Sequence, residues 1–285
     1  MMRKTAVTFA ALSLASGAWA QGVPKPRTDA PLIQAYKIIL VGDSTMAPGS
    51  GWASAFCASH VKSSIACLNL GRGGRSTRSY RAEGSWAIAL DEAKVRGYKA
   101  TYVLIQFAHN DQSEKSERWT DRTTEFPANL KRYVEEVRGA GAIPVLVTPL
   151  TRRDFKDGSL QNTLAEWSDE VRKVATVMKV PLVDLNAHSA ALVQQLGAVD
   201  AAKLAMAEPL PAELAAAQSG TTLKARTAEE AKLPEAPAKP NGPRGQFGLK
   251  FDHTHVGAAG AQVFARMVTQ DLAAAVPALQ GQLVP

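Results

Sequence analysis

A serine directly after a buried apolar run, with an aspartate and a histidine three residues apart far downstream, supplies a nucleophile, a base and a group to orient the base. Here they are Ser44, in Gly42-Asp43-Ser44-Thr45 after Ile38-Ile39-Leu40-Val41, and the pair in Asp252-His253-Thr254-His255. A serine hydroxyl is a weak nucleophile until a neighbouring base takes its proton, and neutral imidazole is the side chain tuned to do so near neutral pH. His255 is the candidate base. A carboxylate accepting from the far ring nitrogen fixes the tautomer and stabilises the imidazolium formed during attack, a task within one turn's reach of Asp252. This is acyl-transfer chemistry, and it needs no cofactor and no metal. The usual nucleophile elbow, Gly-x-Ser-x-Gly, is absent, because Met46 stands where its second glycine would be.

Such chemistry also needs donors for an oxyanion. Asn69-Leu70-Gly71-Arg72-Gly73-Gly74-Arg75 follows a second apolar run, and its glycines let a backbone N–H approach a ligand closely. A third run, Val103 to Phe107, leads into Ala108-His109-Asn110-Asp111, where the neutral Asn110 amide offers two N–H groups. Three run ends therefore present Ser44, Gly74 and Asn110.

At these residues the chain resembles the SGNH (GDSL) hydrolases, whose four sequence blocks match Gly42-Asp43-Ser44, the Gly74 loop, Asn110-Asp111 and Asp252-x-x-His255 in order. The fuller strings Gly42 to Ala47, Gly74 to Tyr80, His109 to Asp111 and Thr148 to Arg153 look like those of the rhamnogalacturonan acetylesterases. The resemblance runs from about Lys37 to Ala274, with one gap. It implies a deacetylase of plant cell-wall polysaccharide with Ser44, Asp252 and His255 as the triad and the Ser44 N–H, the Gly74 N–H and the Asn110 amide as the oxyanion hole. Asp43, Arg75 and His109 are then the candidate substrate-binding residues. Two departures stand out. The third block usually opens with glycine and here has Ala108, a small change expected to do little harm. The stretch from about Glu208 to Gly245 is long for the connection it makes.

Each residue also has a plainer role. Gly-Asp-Ser-Thr is by itself an ordinary turn or helix cap, Asn110 a strand-end cap and Gly74 a turn glycine. Asp252, His253 and His255 could begin a zinc site, but no convincing third or fourth ligand accompanies them. His109 has no assigned acid or base partner, so it reads as structural or substrate-lining. Arg72, Arg75, Arg78 and Arg81 are by default a solvated basic loop, to which a polyanionic substrate would give a use.

Apolar runs at Lys37 to Val41, Ile65 to Leu70, Thr101 to Phe107, Ile143 to Thr148 and Pro181 to Leu185 alternate with helical stretches at Ser85 to Val95, Thr123 to Arg138 and Thr163 to Met178. Alternation of this kind predicts an α/β fold, a three-layer α/β/α sandwich around a doubly wound, mainly parallel five-stranded sheet, with ligands bound beyond the carboxyl ends of the strands. Two more helices are expected, at Ala190 to Met206 and Gly257 to Ala274. Glu208 to Gly245, rich in Ala, Pro and Lys, reads as an insertion, a loop or partly extended flap that borders the cleft. One set of motifs in 285 residues fits one domain, residues 21–285.

Residues 1–20 carry Arg3 and Lys4, an apolar run and Ala18-Trp19-Ala20, the pattern of a cleaved signal peptide. Its removal takes the formal net charge from +7 to +5, a balance suited to attraction to a polyanion such as pectin. An exported, monomeric enzyme without a membrane anchor and without nucleic-acid contacts is expected, in the periplasm or the medium. Cys57 and Cys67 are either bridged, as an oxidising compartment allows, or buried free thiols. Other readings remain open: an esterase, lipase or thioesterase acting on another acyl ester such as acetylated xylan or a lipid, and an inactive polysaccharide-binding relative. The arginine-rich loop speaks against an apolar acyl groove, and the complete triad against loss of activity.

Overall fold

The computed structural model describes residues 35–223 and 250–285. Its elements run β1 (Tyr36–Gly42), α1 (Ala53–Ser59), β2 (Ile65–Asn69), α2 (Ser79–Ala82), α3 (Ser85–Lys94), β3 (Ala100–Gln106), α4 (Glu125–Gly139), β4 (Ile143–Val147), β5 (Phe155–Lys156), β6 (Ser159–Leu160), α5 (Ala165–Met178), β7 (Leu182–Val183), α6 (Leu185–Ala202), α7 (Pro211–Gln218) and α8 (Ala258–Ala275), with a final 3-10 turn at Pro277–Gln282. All five expected strands form one sheet in the order β2-β1-β3-β4-β7, with every pairing parallel.

Parallel strands are covered on both faces, so their residues are apolar on both sides and divide between two cores. In β1, Ile38 and Leu40 join Phe56 of α1 and Phe264, Val268 and Leu272 of α8. Ile39 and Val41 face the other way, towards Trp86 of α3, Phe126 and Leu130 of α4 and Val171 of α5. The three layers follow from that division. Gly42 ends β1 where nothing larger fits, because a Cβ there would stand 2.3 Å from the Met46 sulfur and 2.6 Å from the Gln106 carbonyl oxygen.

Cys57 of α1 and Cys67 of β2 are bridged, with their Cα atoms 5.5 Å apart. The hairpin of β5 and β6 was not expected. It turns at Asp157 and Gly158, whose φ values of 51° and 76° give the left-handed pair that suits a two-residue hairpin turn. The expected helix at Ala190 to Met206 begins earlier, at Leu185, and is interrupted at Gly197 (φ 70°). The Glu208 to Gly245 insertion is not wholly a loop, since Pro211–Gln218 is helical, started by a proline in its first turn. Residues 224–249 of that insertion, and the expected signal peptide, lie outside the described residues.

Candidate active site

Ser44 leaves β1 in a tight turn, with Met46 N and Ala47 N both donating to the Asp43 carbonyl at 3.1 Å. The turn is braced from beneath. Thr45 N and Oγ1 donate to Asp43 Oδ1 at 2.8 Å, Gln106 Nε2 donates to Thr45 Oγ1, and Trp52 Nε1 donates to Gln106 Oε1 at 3.0 Å. Gln106 ends β3 and pairs in register with Gly42, so the sheet itself sets the height of the turn.

The second loop rises beside it. Arg72 N donates to the Gly42 carbonyl at 2.9 Å, and a Cβ on Gly73 would stand 3.7 Å from the Ser44 Cβ, which sets this loop directly against the serine. Gly74 has φ 77°, a conformation in which glycine is the default. From the end of β3, Asn110 Nδ2 donates one hydrogen to the Arg75 carbonyl at 3.1 Å, which ties the amide to the Gly74 loop and, among the described residues, leaves its other hydrogen uncommitted. Asp111 ties the two loops together. Its fully buried carboxyl accepts from Thr77 N at 3.0 Å, from Thr77 Oγ1 and from Thr120 Oγ1 at 3.1 Å.

On the other flank, His255 Nδ1 donates to Asp252 Oδ2 at 2.7 Å. Asp252 Oδ1 accepts from Thr254 N and His255 N, each at 2.7 Å, so the dyad is folded within one turn. Burial works against the Asp252 charge, but the His255 hydrogen bond and charge and these two N–H groups outweigh it and hold its pKa at about 2. The carboxylate is thus ionised wherever the imidazole could act as a base. This loop joins the Ser44 turn through Ser50, whose Oγ donates to the Ser44 carbonyl at 2.7 Å and whose own carbonyl accepts from Val256 N at 3.0 Å.

Arg153 is a supporting residue to which the sequence assigned no role. It is 1% exposed, and its Nη2 donates to the carbonyls of Asp252 (2.9 Å) and His255 (2.8 Å), while its backbone N–H donates to the His253 carbonyl at 2.8 Å. One buried guanidinium therefore grips both ends of the dyad, and its burial lowers its own pKa to about 10. Only its presence in the string Thr148 to Arg153 hinted at this. Beside it, Glu213 of α7 brings Oε2 to 3.7 Å from His253 Nε2, so the start of the insertion borders the base loop.

The three expected substrate contacts are engaged elsewhere. Asp43 is fully buried, its pKa raised to about 6 by that burial, and its carboxyl serves the nucleophile turn. His109 is 7% exposed and donates from Nε2 to the Leu150 carbonyl at 2.9 Å; burial, then the Arg152 charge, push its pKa well down, so it is neutral. Arg75 donates from Nε to Glu83 Oε2 at 2.8 Å and from Nη1 to the Gly73 carbonyl at 2.7 Å. Nor is the arginine loop a free basic patch. Arg72 lies 3.6 Å from Glu83, Arg78 is paired with Glu125, and Arg81 with Glu136 at 2.8 Å.

Ala108 stands where the family usually has glycine, at a backbone conformation that favours glycine. It is fully buried with φ 127°, a conformation that strains any residue bearing a Cβ. The methyl group fits the space but not the backbone.

A family model, the GDSL-like Lipase/Acylhydrolase family, matches residues 40–263. The chain is 33% identical over 176 residues to the rhamnogalacturonan acetylesterase RhgT of Bacillus subtilis, covering 59% of this chain and 72% of the relative. It is 31% identical over 170 residues to a probable rhamnogalacturonan acetylesterase, YesY, of the same species, covering 57% and 76%. Among solved structures, an acetyl-xylooligosaccharide esterase variant from Geobacillus stearothermophilus superposes with a TM-score of 0.52 at 16% identity, over 85% of this chain and 96% of that one. A Bacillus subtilis protein, YXIM, gives 0.59 at 21% over 84% of this chain, which spans 56% of that structure. These structural likenesses concern the fold.

Proposed function

As a member of the GDSL-like Lipase/Acylhydrolase family the chain is a carboxylic ester hydrolase, and we propose that it is an exported serine acetylesterase acting on pectin-type, rhamnogalacturonan-like polysaccharide. The observation that carries this reading is the His255–Asp252 pair at 2.7 Å on a loop bonded through Ser50 to the Ser44 turn. In this reading His255 Nε2 takes the Ser44 proton as Oγ attacks the acetyl carbonyl. The oxygen of that carbonyl becomes an oxyanion facing the Ser44 and Gly74 N–H groups and the uncommitted Asn110 hydrogen. Collapse expels the sugar hydroxyl, which leaves with the proton from His255, and an acetyl-Ser44 ester remains. Water, giving a proton to His255, then attacks that ester; collapse breaks the acyl–Oγ bond as His255 returns the proton to Ser44 Oγ, and acetate and free Ser44 result.

Export is supported by the leader-like first twenty residues and by the Cys57–Cys67 bridge, which suits an oxidising compartment. The two Bacillus subtilis rhamnogalacturonan acetylesterase relatives support the pectic substrate over xylan. The test is acetate release from acetylated rhamnogalacturonan, homogalacturonan and xylan in parallel, by the unaltered protein, Ser44→Ala and EDTA-treated enzyme. Release from a pectic polymer, lost in Ser44→Ala and unchanged by EDTA, is expected. Release from xylan alone would move the substrate, and release from none of the three would remove the polysaccharide.

A further inference from the structure

An esterase that selects an acidic polymer must read a carboxylate near the ester, yet the arginines expected to do so are spent on glutamates. One other arginine beside the oxyanion loop is not. The Cζ, Nη1 and Nη2 atoms of Arg118 each stand 3.4 Å from where a Cβ on Gly74 would sit, so the guanidinium lies over that glycine. Among the described residues its side chain makes no hydrogen bond, and its one ion-pair partner, the largely exposed Glu117, is 3.8 Å from Nε. An arginine fork with both Nη groups uncommitted is the group best shaped to take a carboxylate through two parallel bonds.

The neighbouring residue adds a second observation. Trp119 is 47% exposed and walls an open surface hollow lined also by Arg78, Gln112, Glu114 and Ser116. Gln112, whose Nε2 is buried and has no hydrogen-bond partner among the described residues, forms part of the wall. An indole offers a broad, stiff apolar face with little entropy to lose, suited to the C–H face of a sugar ring.

Both residues sit on a loop that is held, not loose. Arg118 N and Trp119 N donate to the Lys115 carbonyl at 2.9 and 3.0 Å, and Thr120 N donates to the Asp111 carbonyl at 2.9 Å. Asp111 is also the residue that grips Thr77, so the Gly74 loop and the Arg118–Trp119 segment share one anchor.

We propose that Arg118 and Trp119 form a uronate subsite, in which a sugar ring of the polymer stacks on Trp119 and a uronic acid carboxylate beside the ester under attack is taken by Arg118. This rests on the reading of the site as an esterase of acidic polysaccharide. It replaces the expected Arg75 with a residue whose fork is uncommitted, and it gives the enzyme a means to prefer a polyuronide over neutral xylan.

The test is binding without turnover. The full chain carrying Ser44→Ala is titrated calorimetrically with a defined oligogalacturonate and with a xylo-oligosaccharide of equal length, alone and with Arg118→Ala, Arg118→Lys, Trp119→Ala or Trp119→Phe added. Arg118→Ala should weaken oligogalacturonate at least tenfold and leave the xylo-oligosaccharide unchanged, with Arg118→Lys between. Trp119→Ala should weaken both sugars, and Trp119→Phe should recover most of the loss. An oligogalacturonate affinity within twofold of the parent in Arg118→Ala, or equal losses for the two sugars, overturns the subsite. The same substitutions in the Ser44 enzyme separate this proposal from the one it rests on. Arg118-dependent oligogalacturonate binding by a chain that deacetylates no polymer would sink the esterase reading alone. An Arg118→Ala enzyme with its full preference for pectic over xylan acetate would sink the subsite alone.

Discussion

Ser44, Gly74 and Asn110 hang from the ends of β1, β2 and β3, strands locked side by side from Tyr36 to Gly42, so the acyl side of the site inherits the rigidity of the sheet. Asp252 and His255 arrive on a loop with no strand beneath them, held by Arg153 and by the Ser50 relay. Many constraints, most of them fully buried, position the first set, and a few part-buried ones the second. The acyl side should therefore tolerate the loss of a single bond, whereas the base side should not.

Removing the nucleophile is the largest change the comparison allows. Ser44→Ala should lower acetate release by a factor of roughly 10⁴ or more, with an unaltered far-ultraviolet circular dichroism spectrum, since the turn is braced by Asp43 and Thr45 and not by the serine hydroxyl. Retained activity would move the chemistry elsewhere.

Arg153→Met should come next. It strips the part-buried carbonyls of Asp252 and His255 of their donor, at roughly 1 kcal/mol for each group left unpaired. It should also lower kcat on the order of 10²-fold with little change in KM, as misplacement of a catalytic group does. Thr45→Val, which removes the hydroxyl's bonds to Asp43 and Gln106 on the acyl side but keeps the backbone N–H bond to Asp43, should cost less activity than Arg153→Met. The reverse order, read from kcat and from urea unfolding, would break the contrast between the two sides.

Protonation distinguishes the sides a third way. Burial raises Asp43 to about 6 and Asp111 to about 7 from an ordinary 3.8, so the folded state holds these protons more tightly than the unfolded chain does. Their contribution to stability is complete below pH 3.8 and is lost as pH rises through those values. Asp252, held at about 2, contributes in the opposite sense, fully above 3.8 and lost as pH falls through about 2. Urea unfolding should therefore show the acyl-side carboxyls eroding stability by an amount on the order of a few kcal/mol as pH rises towards 7. Asp111→Asn should flatten that slope, and an unchanged slope would mean the carboxyl is ionised throughout.

The smallest effect concerns Ala108. Glycine there should relieve the strain at φ 127° and raise the unfolding free energy by about 1 kcal/mol, with activity kept or improved. A loss of stability would show that the buried methyl group contributes more packing than the backbone loses in strain.

Much of this arrangement was legible because buried parallel strands write themselves as unbroken apolar runs, and Ile38 to Val41 or Val103 to Ile105 can hardly be anything else. Turn residues after such runs then mark the strand ends where ligands bind. The β5–β6 hairpin was missed because two-residue strands carry no period; only Asp157-Gly158 marked it. Arg153 was missed because its partners lie about a hundred positions away, a distance over which spacing says nothing. The arginine loop was misjudged for a related reason. Glu83, Glu125 and Glu136 come to it from 8 to 55 positions downstream, and only folding reveals that its arginines already have carboxylate partners.

The Cys57–Cys67 bridge ties α1, which follows the nucleophile turn, to β2, the edge strand from which the Gly74 loop departs. β2 has a neighbour on one side only, so in a cell that keeps thiols reduced this margin of the sheet would be the first to fray. Chain made in such a cell should refold poorly after heating and lose its grip on the oxyanion before it loses its dyad. Preparations of this protein are therefore best compared by thiol titration before they are compared by rate.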